Sequence, residues 1–137
     1  IDPYNEKFSS HKNFIPYEKQ AEIFLDLSKK QVTSKTDLIV FPETAFDENY
    51  IEDNIKSYPP VKKINSFVKT NPHDISVLGG VVTLLIYGNE KRTPTSRFHA
   101  ESNIYYDYFN TAMFFHKNVD SIALYHKSKL VPLVESM

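Results

Sequence analysis

Cysteine is missing from all 137 residues, and glycine is scarce, with three in the chain. The first absence rules out a disulfide framework and any thiolate metal site within these residues, and it leaves the redox compartment open. The second leaves loops to be shaped more by the eight prolines than by glycine. Charge of one sign is missing as well: 16 basic against 17 acidic residues give a net charge of -1. That offers no electrostatic footprint for nucleic acid, and no basic run is long enough to form an anionic-lipid patch. Nothing approaches the roughly 20 consecutive apolar residues that cross a bilayer. The amino end IDPYNEKF lacks the charged-then-apolar layout of a signal peptide, so the chain as written is expected to be soluble. The five histidines, His11, His73, His99, His116 and His126, show no HExxH or other ligand spacing and read as lone surface residues. No metal and no cofactor is expected. Gly79-Gly80 has neither the GxGxxG nor the Walker pattern that cradles phosphate, which favours close packing over nucleotide binding.

What is present is globular. Hydrophobic residues make up 41% and charged residues 24%, and the length suits one domain with a core of its own. Ten phenylalanines and nine tyrosines point to a core of bulky rings. No internal repeat is visible.

Along the chain, residues 1–14 carry an Asp2-Pro3 turn signal and little periodicity, as in an extended lead-in. YEKQAEIFLDLSKKQ then sets Tyr17, Ala21, Phe24 and Leu25 on one face, with Leu27 and Val32 flanking, which predicts an amphipathic helix. DLIVF is a short continuous apolar run closed by Pro42, as expected of a central parallel strand buried on both faces. Asp47 to Tyr58 is ambiguous, and a short helix with Tyr50, Ile51 and Ile55 turned inward is one reading. Val61, Ile64, Phe67 and Val68 predict a second helix, with Pro60 in its first turn and Asn71-Pro72 at its stop. ISVLGGVVTLLIY, residues 75–87, predicts a strand whose paired glycines let another backbone or a ligand approach closely. Gly88 to Asn103 has no period and reads as a long surface insertion. Two more strands, about Tyr108 to His116 and Ser121 to Tyr125, are separated by a four-residue turn suited to a hairpin. Tyr105, Tyr106 and Tyr108 read as strand core, since no basic residues interleave them as in a stacking platform. The order of helices and strands makes the class α/β.

Three residues carry candidate chemistry. Glu43 follows a strand, behind a proline, and the carboxyl ends of strands in open α/β sheets are where ligand crevices form. Partial desolvation there suits a carboxylate to general-base work; the plainer reading is a capped or solvated turn. Lys127 lies just past another strand, where an ammonium can stabilise an oxyanion; taken alone, it reads rather as a solvated lysine among His126, Lys117 and Lys129. Glu135 lies beyond Pro132, which could aim it back toward the strand end, or it belongs to a frayed terminus.

In order along the chain, DLIVFPETAF, VLGGV, YDYFNTAMFF and YHKSKLVPLVE resemble the nitrilase-like domain of the apolipoprotein N-acyltransferases. IDPYNEKF is similar to the segment just after that domain's first strand. The similarity spans nearly the whole chain. Proline-glutamate after a strand is common to carbon-nitrogen hydrolases at large, whereas YHKxKLVP followed by glutamate is close to particular to the acyltransferase branch. The resemblance implies an incomplete nitrilase-like sandwich of αββα layers over residues 1–137, lacking the first strand and the C-terminal part. It implies a catalytic glutamate, lysine and cysteine, of which the first two fall on Glu43 and Lys127 and the third has no counterpart. A second glutamate that assists the site falls on Glu135, with Leu133 and Val134 where the family pattern has Phe-Gly. Asn110 matches an asparagine near the pocket, as a substrate-binding residue and not a catalyst.

The activity implied is transfer of an acyl chain from a phospholipid, through a cysteine thioester, to the amino-terminal amine of a lipoprotein. The parent protein would sit in a bacterial inner membrane through helices outside this chain, with this domain facing the periplasm. Apolar helices are expected before Ile1 and a cysteine after Met137, and the 137 residues alone are expected to be inactive. The insertion at Gly88 to Asn103 could cover the pocket mouth and meet lipid, or be an inert loop. A soluble amidase of the same superfamily and a noncatalytic nitrilase-like interaction module are the alternatives.

Overall fold

The computed structural model describes residues 15–43 and 45–128. Helix α1, Tyr17–Gln31, and helix α2, Pro59–Thr70, lie on one face of a six-stranded mixed sheet. Its strands are β1 (Leu38–Val40), β2 (Phe46–Ile51), β3 (Ser76–Gly88), β4 (Arg97–His99), β5 (Ile104–His116) and β6 (Ala123–His126), with a 3-10 helix at Glu52–Ser57 between β2 and α2.

Both helices follow their apolar spacing. In α1, Ala21 and Leu25 are buried, and Tyr17, Phe24 and Val32 pack against the core. In α2, Pro60, Val61, Ile64, Phe67 and Val68 are all buried. The two proline rings occupy the first helical positions, where a missing N–H costs nothing. Lys63 of α2 ties the helices together by reaching Glu18 and Glu22 of α1 at 3.2 and 3.1 Å. The rings expected from the composition meet at the helix–sheet seam, where Phe24 stacks on Phe41 at 5.0 Å and meets Phe46 edge-on at 5.7 Å.

β3 and β5 pair antiparallel along their length and form the spine of the sheet. β1 and β2 both run parallel to β3 along one edge, and β4 and β6 both run antiparallel to β5 along the other. Alternate residues of the spine turn to the helices, as Val77, Val81, Met113 and Phe115 do. The residues between them, with β1 and β6, make an opposite face that lies open among the described residues. Val40 is 63% exposed there and Tyr125 68%.

That open face overturns one expectation. DLIVF forms a parallel strand as anticipated, but among the described residues it lies at the edge of the sheet and is buried from one side only. A continuous apolar run cannot by itself say how many layers cover it. Asp47 to Tyr58 also divides differently: its first part extends as β2 and only Glu52–Ser57 coils, although Tyr50 and Ile55 do point inward. β5 starts earlier than anticipated, and Tyr105, Tyr106 and Tyr108 lie on its outer, partly exposed length and not in the core, with Tyr108 exposed. The β5–β6 hairpin forms as expected, and Lys69 of α2 pairs with Asp120 in its turn.

The insertion after β3 is not structureless. It contains β4 and is tied down by Asp107 of β5, which accepts hydrogen bonds from Tyr87 (2.8 Å), Thr93 (2.6 Å) and Thr95 (3.0 Å). Burial pushes the Asp107 carboxyl pKa up, but the three hydroxyls, Thr93 foremost, outweigh it and hold the group below its ordinary range.

Candidate active site

Glu43 owes its position to a bulge in the parallel edge. From Val40 to Phe46 the chain takes six steps, while their partners on β3, Leu78 and Val81, are three steps apart. The surplus residues are extruded around Pro42 and Glu43, and a bulge of this kind re-aims a side chain out of the sheet. β3 grips both ends of the extruded turn: Phe41 N–H donates to Leu78 O at 2.8 Å, Gly80 N–H to Pro42 O at 3.2 Å, and Ala45 N–H to Gly80 O at 3.0 Å. The turn lies directly on Gly80. A Cβ there would stand 2.6 Å from Glu43 Cα and closer still to its carbonyl, whereas one on Gly79 would meet only the Phe41 ring at 3.5 Å. Of the two glycines, Gly80 is therefore the one that permits close backbone approach, and the backbone it admits is that of Glu43.

Lys127 arrives from the opposite edge. Its N–H donates to Asn110 O at 2.8 Å, which carries the β5–β6 ladder one residue past β6. Its ammonium donates to Glu43 Oε1 at 2.9 Å, joining residues 84 apart in sequence. The Glu43 side chain is 69% exposed and that of Lys127 30%. The expected desolvation of Glu43 is thus not present among the described residues, because the sheet face beside it is open. An ion pair so exposed contributes at most about 1 kcal/mol to stability, so the contact matters chiefly for what it holds together.

Both residues border an open cavity of about 630 Å³ whose wall is mostly apolar, supplied by Val40, Phe41, Leu78, Ala112 and Tyr125, with Asn110, Thr111 and Ser128 as polar groups. A carboxylate and an ammonium at hydrogen-bond distance, on the rim of an apolar cavity, can take up a proton and stabilise an oxyanion beside a hydrocarbon chain. Comparison with protein-family models, with characterised proteins and with solved structures finds no match. The chemistry of the site therefore rests on its own residues and on the resemblance they carry.

The residues singled out in the sequence fare differently. Glu43 and Lys127 meet, and Asn110 lies between them on the cavity wall, holding Lys127 through its main chain. Glu135 lies outside the described residues. The insertion does not cover the cavity mouth. None of its residues lines the cavity, and Gly88, where it begins, is roughly 26 Å along β3 from Gly80 at about 3.3 Å per residue. No group of three or more potential ligands for a metal occurs among the described residues.

Two residues beside the site were missed. His126, read as a lone surface histidine, has its Nε2 2.6 Å from Glu52 Oε1 and its ring stacked on Phe109 at 3.9 Å. Glu52, read as part of an acidic segment, also accepts from Thr83 Oγ1 at 2.6 Å. The available signal was position alone, since His126 immediately precedes the candidate lysine.

Proposed function

We propose that Glu43 and Lys127 are the base and the cation of a glutamate-lysine-cysteine acyl-transfer site of the nitrilase kind, in an apolipoprotein N-acyltransferase. The observation that carries this reading is the Glu43–Lys127 contact on the rim of an apolar cavity, formed by the two motifs whose resemblance predicts that they meet. The sequence contains no cysteine, so the reading requires the nucleophile from chain outside these residues. It also requires a second sheet, completing an αββα sandwich, over the open apolar face. No helix among the described residues is long and apolar enough to cross a membrane, so membrane attachment in a bacterial inner membrane likewise belongs to the proposal.

Glu43 takes the proton of the cysteine thiol, whose ordinary pKa of about 8.5 leaves little thiolate at neutral pH. The thiolate adds to the ester carbonyl of a phospholipid, and the Lys127 ammonium faces the oxyanion as it forms. Collapse breaks the carbon–oxygen bond, Glu43 returns the proton to the departing lysophospholipid hydroxyl, and the acyl group remains as a thioester. The lipoprotein's amino-terminal amine then adds to the thioester as Glu43 takes its proton. Breaking the carbon–sulfur bond gives the amide and regenerates the thiol. The acyl chain rests meanwhile in the cavity along Val40, Leu78 and Tyr125.

The test uses the protein that carries this chain together with its cysteine, supplied with a phospholipid labelled in the acyl chain. A hydroxylamine-sensitive labelled thioester is expected, followed by transfer to an amino-terminal cysteine peptide. Glu43→Gln and Lys127→Ala should each lower thioester formation by about 100-fold or more, the span usual for removing a general base or an oxyanion partner. Retained thioester in either variant removes that residue from the site. Absence of any cysteine downstream in the open reading frame overturns the acyltransferase reading in favour of a noncatalytic module. Hydrolysis of small amides without acyl transfer would make the protein an amidase.

A further inference from the structure

β6 is short and lies on an edge. Its ladder to β5 covers Ala123 to His126 with one further bond from Lys127 N–H, and short edge elements with exposed hydrogen bonds open readily. Yet the ammonium that follows it must stay within reach of Glu43. Successive residues of an extended strand point to opposite faces, so Tyr125 and Lys127 face the cavity while His126 turns the other way. What His126 meets there is a polar network set in the sheet. Its ring lies parallel to Phe109, at an interplanar angle of 4°, and its Nε2 is 2.6 Å from Glu52 Oε1. A carboxylate only accepts, so Nε2 carries the hydrogen.

Glu52 is itself held. Thr83 Oγ1 donates to the same oxygen at 2.6 Å, and having given its proton there, Thr83 accepts from Thr111 Oγ1 at 2.6 Å. Thr83 is fully buried and Thr111 is 3% exposed, and their strands are the spine of the sheet. The anchor for His126 is therefore a buried pair of hydroxyls on the two longest strands of the sheet. The pattern is a double clamp. Glu43 precedes β2 and Glu52 follows it, and the two carboxylates take hold of the two consecutive residues at the end of β6, Lys127 from one face and His126 from the other.

We infer that His126 and Glu52 are positioning residues that fix the end of β6 so that the Lys127 ammonium is presented to Glu43. The importance of this for catalysis rests on the proposed role of Lys127, since misplacement of a reacting group by about 1 Å can cost on the order of 100-fold in rate. The positioning itself is read without any turnover, from the nucleophilicity of the Lys127 amine.

The 137-residue chain is treated with a trace of an amine-acylating reagent, and each lysine's labelling is read by mass spectrometry. Lys30 and Lys117 serve as references, the latter because its ammonium holds Asn71 O at 2.8 Å at the far end of the same hairpin. His126→Phe keeps the ring stack but removes the N–H, and Glu52→Ala removes the acceptor. Each is expected to raise Lys127 labelling relative to both references by about 3- to 5-fold, the range that loss of an exposed ion pair supports. Glu52→Gln keeps an acceptor oxygen and is expected to stay near the parent ratio. General loosening of the hairpin would raise Lys117 as well, and that result overturns the inference, as does an unchanged Lys127 ratio in folded His126→Phe and Glu52→Ala. If the ratio shifts as expected while no thioester is found in the cysteine-bearing protein, positioning stands and only the acyl-transfer reading falls.

Discussion

Tyr50 shows how much a single atom can matter in a core of this size. Its ring is fully buried in β2 and meets Tyr58 edge-on at 4.7 Å, but its hydroxyl makes no well-formed hydrogen bond among the described residues. Burial first, and the neighbouring Glu48 carboxylate second, push the phenol pKa well above its ordinary value. A buried donor left unmade costs about 1–3 kcal/mol, so Tyr50→Phe is expected to raise stability by about 1 kcal/mol, seen as a higher urea midpoint with unchanged slope. A lower midpoint would show that the hydroxyl is satisfied. Glu43 and Lys127 present the opposite case at the same scale, polar groups that are paired but exposed, whose removal bears on chemistry far more than on folding.

At the scale of elements, the parallel edge and the β3–β5 hairpin each hold one device. The bulge that aims Glu43 depends on bare backbone at Gly80. Gly80→Ala should therefore displace the Pro42–Ala45 turn, lower stability by about 1–3 kcal/mol as overpacking does, and release Lys127 from Glu43. Gly79→Ala, with only an ordinary contact to Phe41, should cost less than about 1 kcal/mol. Thermal melts of the two variants side by side check the difference, and equal losses would refute it. At the other end of β3, Asp107 secures the insertion as a carboxylate. Because its folded pKa lies below the ordinary 3.8, its contribution is fully present above that value and is lost as pH falls through the folded pKa. The stability gap between the parent chain and Asp107→Asn is thus expected to be constant near neutrality and to close below about pH 3.8. A gap that persists in strong acid would mean that the charge is not what holds the insertion.

The whole molecule is asymmetric, with one sheet face under α1 and α2 and the other open. Leu38, Val40, Phe114 and Tyr125 are all exposed, and contiguous apolar surface of this kind marks an interaction site or drives association. The 137-residue chain is expected to self-associate with rising concentration in sedimentation experiments, and Val40→Thr with Phe114→Lys to suppress it. A chain that stays monomeric at high concentration would show that this face does not drive association. The same asymmetry explains why the cavity beside Glu43 is shallow and why that carboxylate meets solvent.

Much of this architecture was legible in the linear chain, and for local reasons. Apolar spacing and proline placement determined α1 and α2, because a helix face and a helix start are properties of a few consecutive residues. The β3 strand and the β5–β6 hairpin were visible in the same way, Glu43 and Lys127 stood out by their places at strand ends, and Asn110 was singled out by resemblance alone. Tertiary structure alone decided what depends on partners distant in sequence. It placed DLIVF at an edge and split Asp47 to Tyr58 into strand and 3-10 helix, since burial on one face or two depends on what packs above. It brought Lys127 to Glu43 across 84 residues and turned His126 from an apparently idle surface histidine into the partner of Glu52. Sequence determined which groups stand at the strand ends; only the pairing of β1, β2 and β6 onto the β3–β5 spine decided which of them touch.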